Sequence, residues 1–213
     1  MKLEDLKKQV RSGALYSCDD EELAVDQLKY LQKLYKYNKT KPMQQKKREK
    51  MLKAMFAEIG ENCYIETPFR SNWGGSNVHF GKNIYANFNL TLVDDADIYV
   101  GNSTMFGPNV IVCTAGHPIN AKLREQVYEF NIPIHIGKNV WIGANSVILP
   151  GVTIGDNSVI GAGSIVTKDI PSSVVAFGIP CKVQREISEK DDKFYFKDMQ
   201  IDPELLKYFL IQN

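Results

Sequence analysis

The feature that most constrains this chain is a repeat of six residues in its second half. From position 136 every sixth residue is aliphatic and β-branched, at Ile136, Ile142, Ile148, Ile154, Ile160 and Val166. Small or β-branched residues stand four positions later, at Val140, Ser146, Val152, Ser158, Ser164 and Ile170. A period of six does not match the 3.6-residue turn of an α-helix, and it is typical of a short strand followed by a turn. We therefore predict repeated strand-and-turn units, each pointing one aliphatic side chain inward.

The same step occurs upstream, with one break in register. The residues that keep it are Phe80, Ala86 and Leu92 and, after two extra positions, Val100, Phe106 and Val112. Three units would close one triangular coil, which predicts complete coils at 80–97, 100–117, 136–153 and 154–171. Coils stacked at the ~4.8 Å spacing of neighbouring strands would align the inward side chains in ladders, and Gly and Asn in the turns accept a positive φ. Separate short strands in a β-sandwich would not easily explain so many units with the same six-residue spacing.

Helical patterns precede the repeat. In the segment DDEELAVDQLKYLQKLYKY the apolar side chains recur at helical spacing, at Leu23, Leu28, Leu31, Leu34 and Tyr35. Asp19 followed by Glu22 fits a capping box at the start of this helix. Pro42 suits the first turn of a second helix that would end at Gly60, and the basic run 46–48 fits its solvated face.

Composition excludes several classes of protein. A net charge of +1 gives no strong attraction to nucleic acid or to a membrane surface, and no apolar run approaches the ~18 residues of a membrane span. The N-terminus, MKLEDLKKQVRSG, is charged and is not typical of a signal peptide, so we expect a cytoplasmic protein. The four cysteines are far apart, and we expect reduced thiols at Cys18, Cys63, Cys113 and Cys181.

The repeat is interrupted at 114–133, a loop that presents a histidine in the sequence TAGHP. The repeat and this interruption, with the segments LYSCDDEEL, YANFNLTLVDD, PIHIGKNVWIGANSVILPGVTIGDNSVIGAGSIVTKDIP and GIPCKVQREI, resemble the maltose and galactoside O-acetyltransferase group of the hexapeptide-repeat acyltransferases. The resemblance implies a mainly β fold, a left-handed parallel β-helix. It also implies a homotrimer with active sites between adjacent subunits, acetyl-CoA as donor and a sugar hydroxyl as acceptor.

We expect a helical segment at 1–60, the β-helix with its loop at 61–181, and an extension at 182–213. In the extension, IPCKVQREI is typical of a strand. The final segment, DPELLKYFLIQN, predicts a short helix with Asp202 as its N-cap and Pro203 in its first turn.

The loop histidine, His117, is the candidate general base. Acetyl transfer to a hydroxyl needs a group that takes the hydroxyl proton, and an imidazole titrates near neutral pH. A nucleophilic Cys113 and a loop histidine without a role are the weaker alternatives. A zinc site like that of a related carbonic anhydrase family would want a second histidine soon after the first, but residues 120–122 are Asn-Ala-Lys, and we expect no metal. We expect His79 and His135 at surface strand positions.

The resemblance also implies binding residues. Those for the acceptor are Asp19, Asn72, Trp73, Asn87, Asp95 and Glu129. Structural roles remain as alternatives for Asp19 and Asp95. Glu129 would contact the acceptor or orient the base, and the alternative is an exposed loop carboxylate without a role. Those for CoA are Trp141, Gly143, Ala144, Gly161, Ala162, Thr167, Lys168, Lys182 and Arg185.

The sequence therefore predicts an acetyl-CoA-dependent O-acetyltransferase for a sugar or glycoside, with direct attack of the hydroxyl and no acyl-enzyme. Two alternatives remain open. One is a hexapeptide acetyltransferase for an antibiotic or another small alcohol, and the other is a non-catalytic β-helix trimer. No nucleic-acid or membrane partner is expected.

Overall fold

The computed structural model describes residues 2–211. Its helices are α1 (Leu3–Val10), α2 (Glu21–Asn38), α3 (Gln45–Met55), α4 (Ala121–Glu125) and α5 (Pro203–Ile211). Its strands are β1 (Tyr16–Ser17), β2 (Glu58–Ile59), β3 (Tyr64–Ile65), β4 (Arg70–Ser71), β5 (Val78–Phe80), β6 (Tyr85–Ala86), β7 (Thr91–Val93), β8 (Ile98–Val100), β9 (Met105–Phe106), β10 (Ile111–Cys113), β11 (Ala115–Gly116), β12 (Tyr128–Asn131), β13 (Ile134–Ile136), β14 (Trp141–Ile142), β15 (Val147–Ile148), β16 (Thr153–Ile154), β17 (Val159–Ile160), β18 (Ile165–Val166), β19 (Val174–Gly178), β20 (Cys181–Glu186), β21 (Phe194–Phe196) and β22 (Met199–Gln200). Within this range no helix is long and apolar enough to cross a membrane.

Three parallel sheets form the walls of a triangular prism. The first wall is β2–β5–β8–β13–β16, the second wall is β3–β6–β9–β14–β17–β19, and the third wall is β4–β7–β10–β15–β18. The chain passes from the first wall to the second and the third and then begins the next coil, so each coil contributes one strand to each wall. The fold is therefore a parallel β-helix, as the repeat predicted.

Inward side chains stack in ladders along the prism. Ile142 lies in register between Phe106 of the preceding coil and Ile160 of the following coil. None of these three exposes more than 1% of its surface. The small residues at the corners, such as Ser158 and Ser164, are also fully buried. The predicted inward ladders are confirmed.

The structure adds a coil that the sequence analysis did not predict. Strands β2, β3 and β4 pair with β5, β6 and β7 and carry Ile59, Ile65 and Ser71 at the inward positions. These three residues keep the step of six. The coil was not predicted because Ser71 is not aliphatic and because the insertion 72–77 separates this coil from the next one. The serine hydroxyl donates a hydrogen bond to Asp94 at 2.6 Å, which explains a polar residue in the ladder.

Helix α2 forms where predicted, but Asp20 rather than Asp19 caps it. The Asp20 carboxylate accepts the N–H of Leu23 at 2.9 Å, and Asp19 stays outside the helix. Leu28 and Tyr35, which we predicted on the apolar face, are 62% and 63% exposed. Helix α2 packs against α1, α3 and β4, and these two side chains lie outside those contacts.

Helix α3 is shorter than predicted. It ends at Met55 rather than Gly60, because the chain then extends to pair β2 with β5. Pro42 lies in the turn before the helix instead of in its first turn. Arg48 does not belong to a solvated face: it is 4% exposed, and its Nε donates to Thr40 Oγ1 at 2.8 Å.

The chain leaves the prism through an antiparallel hairpin of β19 and β20, which confirms the predicted strand. A second hairpin, β21–β22, was not predicted. Helix α5 begins at Pro203, and the Asp202 carboxylate accepts the N–H of Glu204 at 2.9 Å, as expected for its cap. The predicted helix ran to the end of the chain, and residues 212 and 213 lie outside the described range.

Turn residues determine how closely the coils stack. Asn139, Asn145 and Asn157 have φ values of 52°, 59° and 59°, which confirms the predicted use of asparagine. Asn139 Nδ2 also donates to Asn157 Oδ1 of the next coil at 3.1 Å. A Cβ atom on Gly143 would lie 2.5 Å from the amide nitrogen of Ala162, so a side chain there would force the coils apart.

We expect Ile142→Ala to lower the free energy of unfolding by about 2–5 kcal/mol, because the variant leaves a cavity in a ladder with a neighbour on either side. Denaturant-induced unfolding measures the change. Ile119→Ala is the matched control, since Ile119 is 96% exposed and loses no packing. Equal unfolding midpoints for the two variants would contradict the role of the ladder.

Candidate active site

One corner of the prism carries all the insertions that interrupt the early coils. Residues 72–77 follow β4, residues 94–97 follow β7, and residues 114–133 follow β10, so each insertion leaves the end of a third-wall strand. Thr114 joins two of them: its hydroxyl donates to the Val93 carbonyl at 2.7 Å and accepts the Ala96 amide at 2.9 Å. The three insertions therefore bring polar side chains from separate coils to a single corner.

His117 follows β11 within the longest insertion. Strands β11 and β12 form an antiparallel hairpin, and β1 from the N-terminal segment pairs with the other edge of β12. The exposed imidazole has Nδ1 3.1 Å from the carbonyl oxygen of Tyr128. Because a carbonyl only accepts, Nδ1 carries the hydrogen and Nε2 is left with a free lone pair. This tautomer suits a general base.

Asp95 joins two of the predicted acceptor residues. Its Oδ1 accepts from Trp73 Nε1 and its Oδ2 accepts from Asn72 Nδ2, each at 2.9 Å. Burial raises the pKa of Asp95, and the two hydrogen bonds oppose this shift. With Trp73, the carboxylate also lines a cavity of about 150 Å³ between the 72–77 insertion and the N-terminal helices. The structural role considered for Asp95 is therefore present, because the carboxylate binds the insertion directly.

The neighbouring carboxylate, Asp94, was not predicted as a site residue. It is fully buried and accepts from Ser71 Oγ at 2.6 Å, from the Trp73 amide at 2.8 Å and from the Gly75 amide at 3.0 Å. Burial raises its pKa to about 6, against the effect of the Ser71 and Trp73 hydrogen bonds. Asp94 thus holds the turn that supplies Trp73. One feature of the sequence could have indicated a buried acceptor such as Asp94: a glycine-rich turn has backbone amides that need one.

Glu129 lies on β12 beside the histidine loop. Its Oε1 accepts the hydroxyl of Tyr16 at 2.8 Å. Burial raises the pKa of Glu129, the Tyr16 hydrogen bond lowers it, the charge of Asp95 raises it and that of His117 lowers it. Glu129, Asp95 and His117 therefore share one electrostatic environment. The sequence analysis did not predict Tyr16 as a site residue, because its partner Glu129 is more than a hundred positions away in the chain.

Asp19 is exposed, and its amide lies 3.4 Å from Ser17 Oγ. Cys18, which precedes it, approaches the loop more directly, with Sγ 3.0 Å from the Val127 carbonyl oxygen. Burial raises the pKa of the Cys18 thiol, and the charge of Glu129 adds to this effect. The structure thus links Cys18, rather than Asp19, to the histidine loop.

A second constellation lies on the second wall. Five of the predicted CoA residues and one predicted acceptor residue line the same groove of about 430 Å³: Trp141, Gly143, Ala144, Gly161, Ala162 and Asn87. Trp141 is 54% exposed there, so its ring is available to a ligand. Within one chain, Asn87 therefore groups with the groove residues, whereas Asp95 lines the cavity at the insertion corner.

The four remaining predicted CoA residues are exposed and lie on two different elements. Thr167 and Lys168 follow β18 of the third wall, whereas Lys182 and Arg185 lie on β20. Both terminal nitrogens of Arg185 donate to the Asp191 carboxylate at 2.7 Å, which lowers the pKa of that carboxyl to about 2. The sequence analysis did not predict this ion pair.

The other histidines occupy outward strand positions, as predicted. His79 stacks on Tyr99 at 4.5 Å between ring centroids, and Tyr99 stacks on His135 at 4.8 Å. Among residues 2–211, no group of three or more His, Cys, Asp or Glu side chains is arranged to hold a metal ion. Burial raises the pKa of the Cys113 thiol, which disfavours the nucleophilic thiolate.

Comparisons with known proteins agree with this architecture. Residues 133–168 match the hexapeptide repeat of succinyl-transferase, and residues 10–60 match the maltose acetyltransferase hexapeptide capping motif. A galactoside O-acetyltransferase of Lactococcus lactis is 54% identical over 94% of this chain and 97% of its own length. The corresponding Escherichia coli protein is 48% identical over 92% and 97%.

Solved structures give the same result. A galactoside acetyltransferase in complex with coenzyme A has a TM-score of 0.88 and 48% identity, covering 92% of this chain and 97% of that one. A maltose O-acetyltransferase from Clostridium difficile has a TM-score of 0.83 and 41% identity, covering 85% and 97%. The chain therefore belongs to the maltose and galactoside O-acetyltransferase group of the hexapeptide-repeat acyltransferases.

Proposed function

We propose that the protein transfers the acetyl group of acetyl-CoA to a hydroxyl of a sugar or glycoside. The observation that carries the proposal is the imidazole of His117, whose Nδ1 is held by a carbonyl while Nε2 stays free. The names of close relatives, galactoside O-acetyltransferases, and a similar structure in complex with coenzyme A support the choice of acceptor and donor.

In the proposed reaction His117 Nε2 takes the proton of the acceptor hydroxyl while its oxygen attacks the thioester carbon. The carbon–sulfur bond breaks, and the CoA thiolate leaves with the proton that the imidazolium returns. No group of the protein is acetylated. The raised pKa of Cys113 supports this direct attack, because a neutral thiol is a poor nucleophile.

The acceptor would lie at the insertion corner. Each Asp95 oxygen accepts one donor from the protein and keeps a further lone pair for a sugar hydroxyl. Glu129 has one oxygen bound to Tyr16, so the other can also accept from the acceptor. Asn72 and Trp73 act mainly by holding Asp95, and we include Asp19 as a contact at the mouth of the site.

Coenzyme A would lie along the second-wall groove, with the pantetheine arm against Trp141 and the glycines and alanines of the corners. Thr167, Lys168, Lys182 and Arg185 would meet the nucleotide phosphates. The residues Asn87 and His117 belong to different constellations within one chain, which supports a site shared by neighbouring subunits.

A homotrimer would complete the site. Five outward positions are in register along the third wall, at Arg70, Thr91, Ile111, Val147 and Ile165, and the last three are aliphatic. Such a row favours burial against another subunit. We also propose a cytoplasmic location, since the four cysteines are free and acetyl-CoA is the proposed donor.

We expect His117→Ala to lower kcat by roughly 10²–10⁴-fold, the usual contribution of a positioned general base. The KM for acetyl-CoA should change little, because its proposed groove lies on the second wall. A thiol-release assay with a panel of sugars, antibiotics and simple alcohols measures both values and identifies the acceptor class. Cys113→Ala is the control and should stay active. An active His117→Ala with an inactive Cys113→Ala would replace direct attack by a thiol-acyl route.

Lys182→Ala should raise the KM for acetyl-CoA more than it lowers kcat, since a phosphate contact remote from the thioester is equally strong in the ground and transition states. The effect should shrink at high salt, which screens exposed charges. Lys138, an exposed turn lysine outside the proposed groove, provides the matched Ala control. If dephospho-acetyl-CoA responds to Lys182→Ala exactly as acetyl-CoA does, the lysine does not contact the ribose phosphate.

A subunit-mixing experiment tests the shared site. We expect a trimer by sedimentation, and we expect two impaired variants, His117→Ala and Asn87→Ala, to regain activity when unfolded together and refolded. With random mixing, roughly a quarter of the sites would combine an intact His117 with an intact Asn87 from the neighbour. Mixed trimers without any recovery would place both residues of a site in one subunit.

A further inference from the structure

A hydrogen-bond chain joins the N-terminal helix to the histidine loop. Asn131 Nδ2 donates to the carbonyl oxygen of Val10 and to the hydroxyl of Tyr16, each at 3.0 Å. The Tyr16 hydroxyl then donates to Glu129 Oε1 at 2.8 Å. Asn131 is fully buried and Tyr16 is 4% exposed, so water does not compete strongly for these groups.

The Val10 carbonyl determines which group donates at each step of this hydrogen-bond chain. The Val10 carbonyl can only accept, so the Asn131 amide must turn its Nδ2 toward it, and the same Nδ2 then faces Tyr16. The Tyr16 hydroxyl therefore accepts from Asn131 and donates its single hydrogen to Glu129. The arrangement leaves Asn131 Oδ1 without a partner among the described residues, whereas the reversed amide would turn Oδ1 toward the Val10 carbonyl oxygen, which has no hydrogen to donate.

The backbone around Tyr16 supports the same corner. Tyr16 lies opposite Glu129 in the pairing of β1 with β12, and Ser17 lies opposite Tyr128. The Tyr128 carbonyl is the group that accepts from His117 Nδ1. The N-terminal segment thus binds the Glu129 carboxylate through Tyr16 and pairs with the strand whose Tyr128 carbonyl accepts from the base.

Tyr16 stays a neutral donor. Burial raises its pKa, and the charge of Glu129 raises it further, although the Asn131 hydrogen bond has the opposite effect. The hydroxyl therefore holds Glu129 Oε1 throughout the pH range in which an imidazole can act as a base. A glutamate side chain has several rotatable bonds, so the contacts of Glu129 with Tyr16 and Asn131 restrict its freedom.

We propose that Tyr16 is a positioning residue for acetyl transfer: it fixes Glu129 so that the second carboxylate oxygen faces the acceptor hydroxyl beside His117. The inference rests on the function proposed above, because it takes His117 as the base. It adds a residue of the N-terminal segment to the machinery for the acceptor and assigns no role in binding CoA.

The decisive variant is Tyr16→Phe, which removes one oxygen atom and keeps the ring. We expect the KM for the acceptor to rise about tenfold and kcat to fall, which is the order of effect for losing a hydrogen bond to a charged group. The KM for acetyl-CoA should not change. Steady-state kinetics with each substrate varied in turn separates these quantities.

Tyr37→Phe is the matched control. Tyr37 is also fully buried, and its hydroxyl donates to the Ile65 carbonyl at 2.8 Å, away from the insertion corner. Both variants should lose thermal stability, but Tyr37→Phe should keep wild-type kinetics. If Tyr16→Phe also keeps them, the tyrosine is only structural and the proposal is overturned.

A double-mutant cycle with Glu129→Gln gives a second readout. If Tyr16 acts through Glu129, Tyr16→Phe should add little to the kinetic defect of Glu129→Gln. Fully additive effects would overturn the proposal. Wild-type kinetics in Tyr16→Phe with an inactive His117→Ala would leave the proposed function intact, whereas an active His117→Ala would remove its base.

Discussion

The coils of the prism stack at the spacing of neighbouring strands, and this close stacking limits what every other part of the molecule can do. Each inward side chain must fit between one neighbour in the preceding coil and one in the following coil, as Ile142 does between Phe106 and Ile160. Corners must stay narrow for the same reason, which is why Gly143 has no room for a Cβ atom beside Ala162. A chain under this constraint has little room for polar groups inside the prism and carries most of them on its outer faces and in its insertions.

The insertions satisfy that constraint by leaving from one corner. Because they follow successive third-wall strands, residues distant in sequence arrive side by side without disturbing the ladders. Asp94 shows what this arrangement costs: a carboxylate is fully buried so that the Ser71 hydroxyl and the amides of the glycine-rich turn have an acceptor. Asp95, its neighbour, is then held in place by Trp73 and Asn72 from the same turn.

The N-terminal segment has a part in this corner that its helical character alone does not suggest. Strand β1 is only two residues long, yet it pairs with β12 and carries Tyr16 to Glu129. The same segment contributes α1 and α2, which close a cavity against Trp73 and Asp95. Removal of this segment would therefore expose part of the prism and would also disturb the histidine loop.

The period of six was enough to predict the β-helix, its interruption at His117 and its asparagine and glycine turns, because it repeats a local rule that needs no distant information. The sequence alone did not determine the cap at Asp20, the end of α3 at Met55 or the first coil through Ser71, because tertiary pairing overrides local signals at those positions. Several contacts become visible only in the folded chain. They are the hydrogen-bond chain of Tyr16, Asn131 and Glu129, the hydrogen bonds that Asp94 accepts from the turn, and the ion pair of Arg185 with Asp191. Each of these contacts needs a partner from another element, and the local sequence pattern does not show which elements meet.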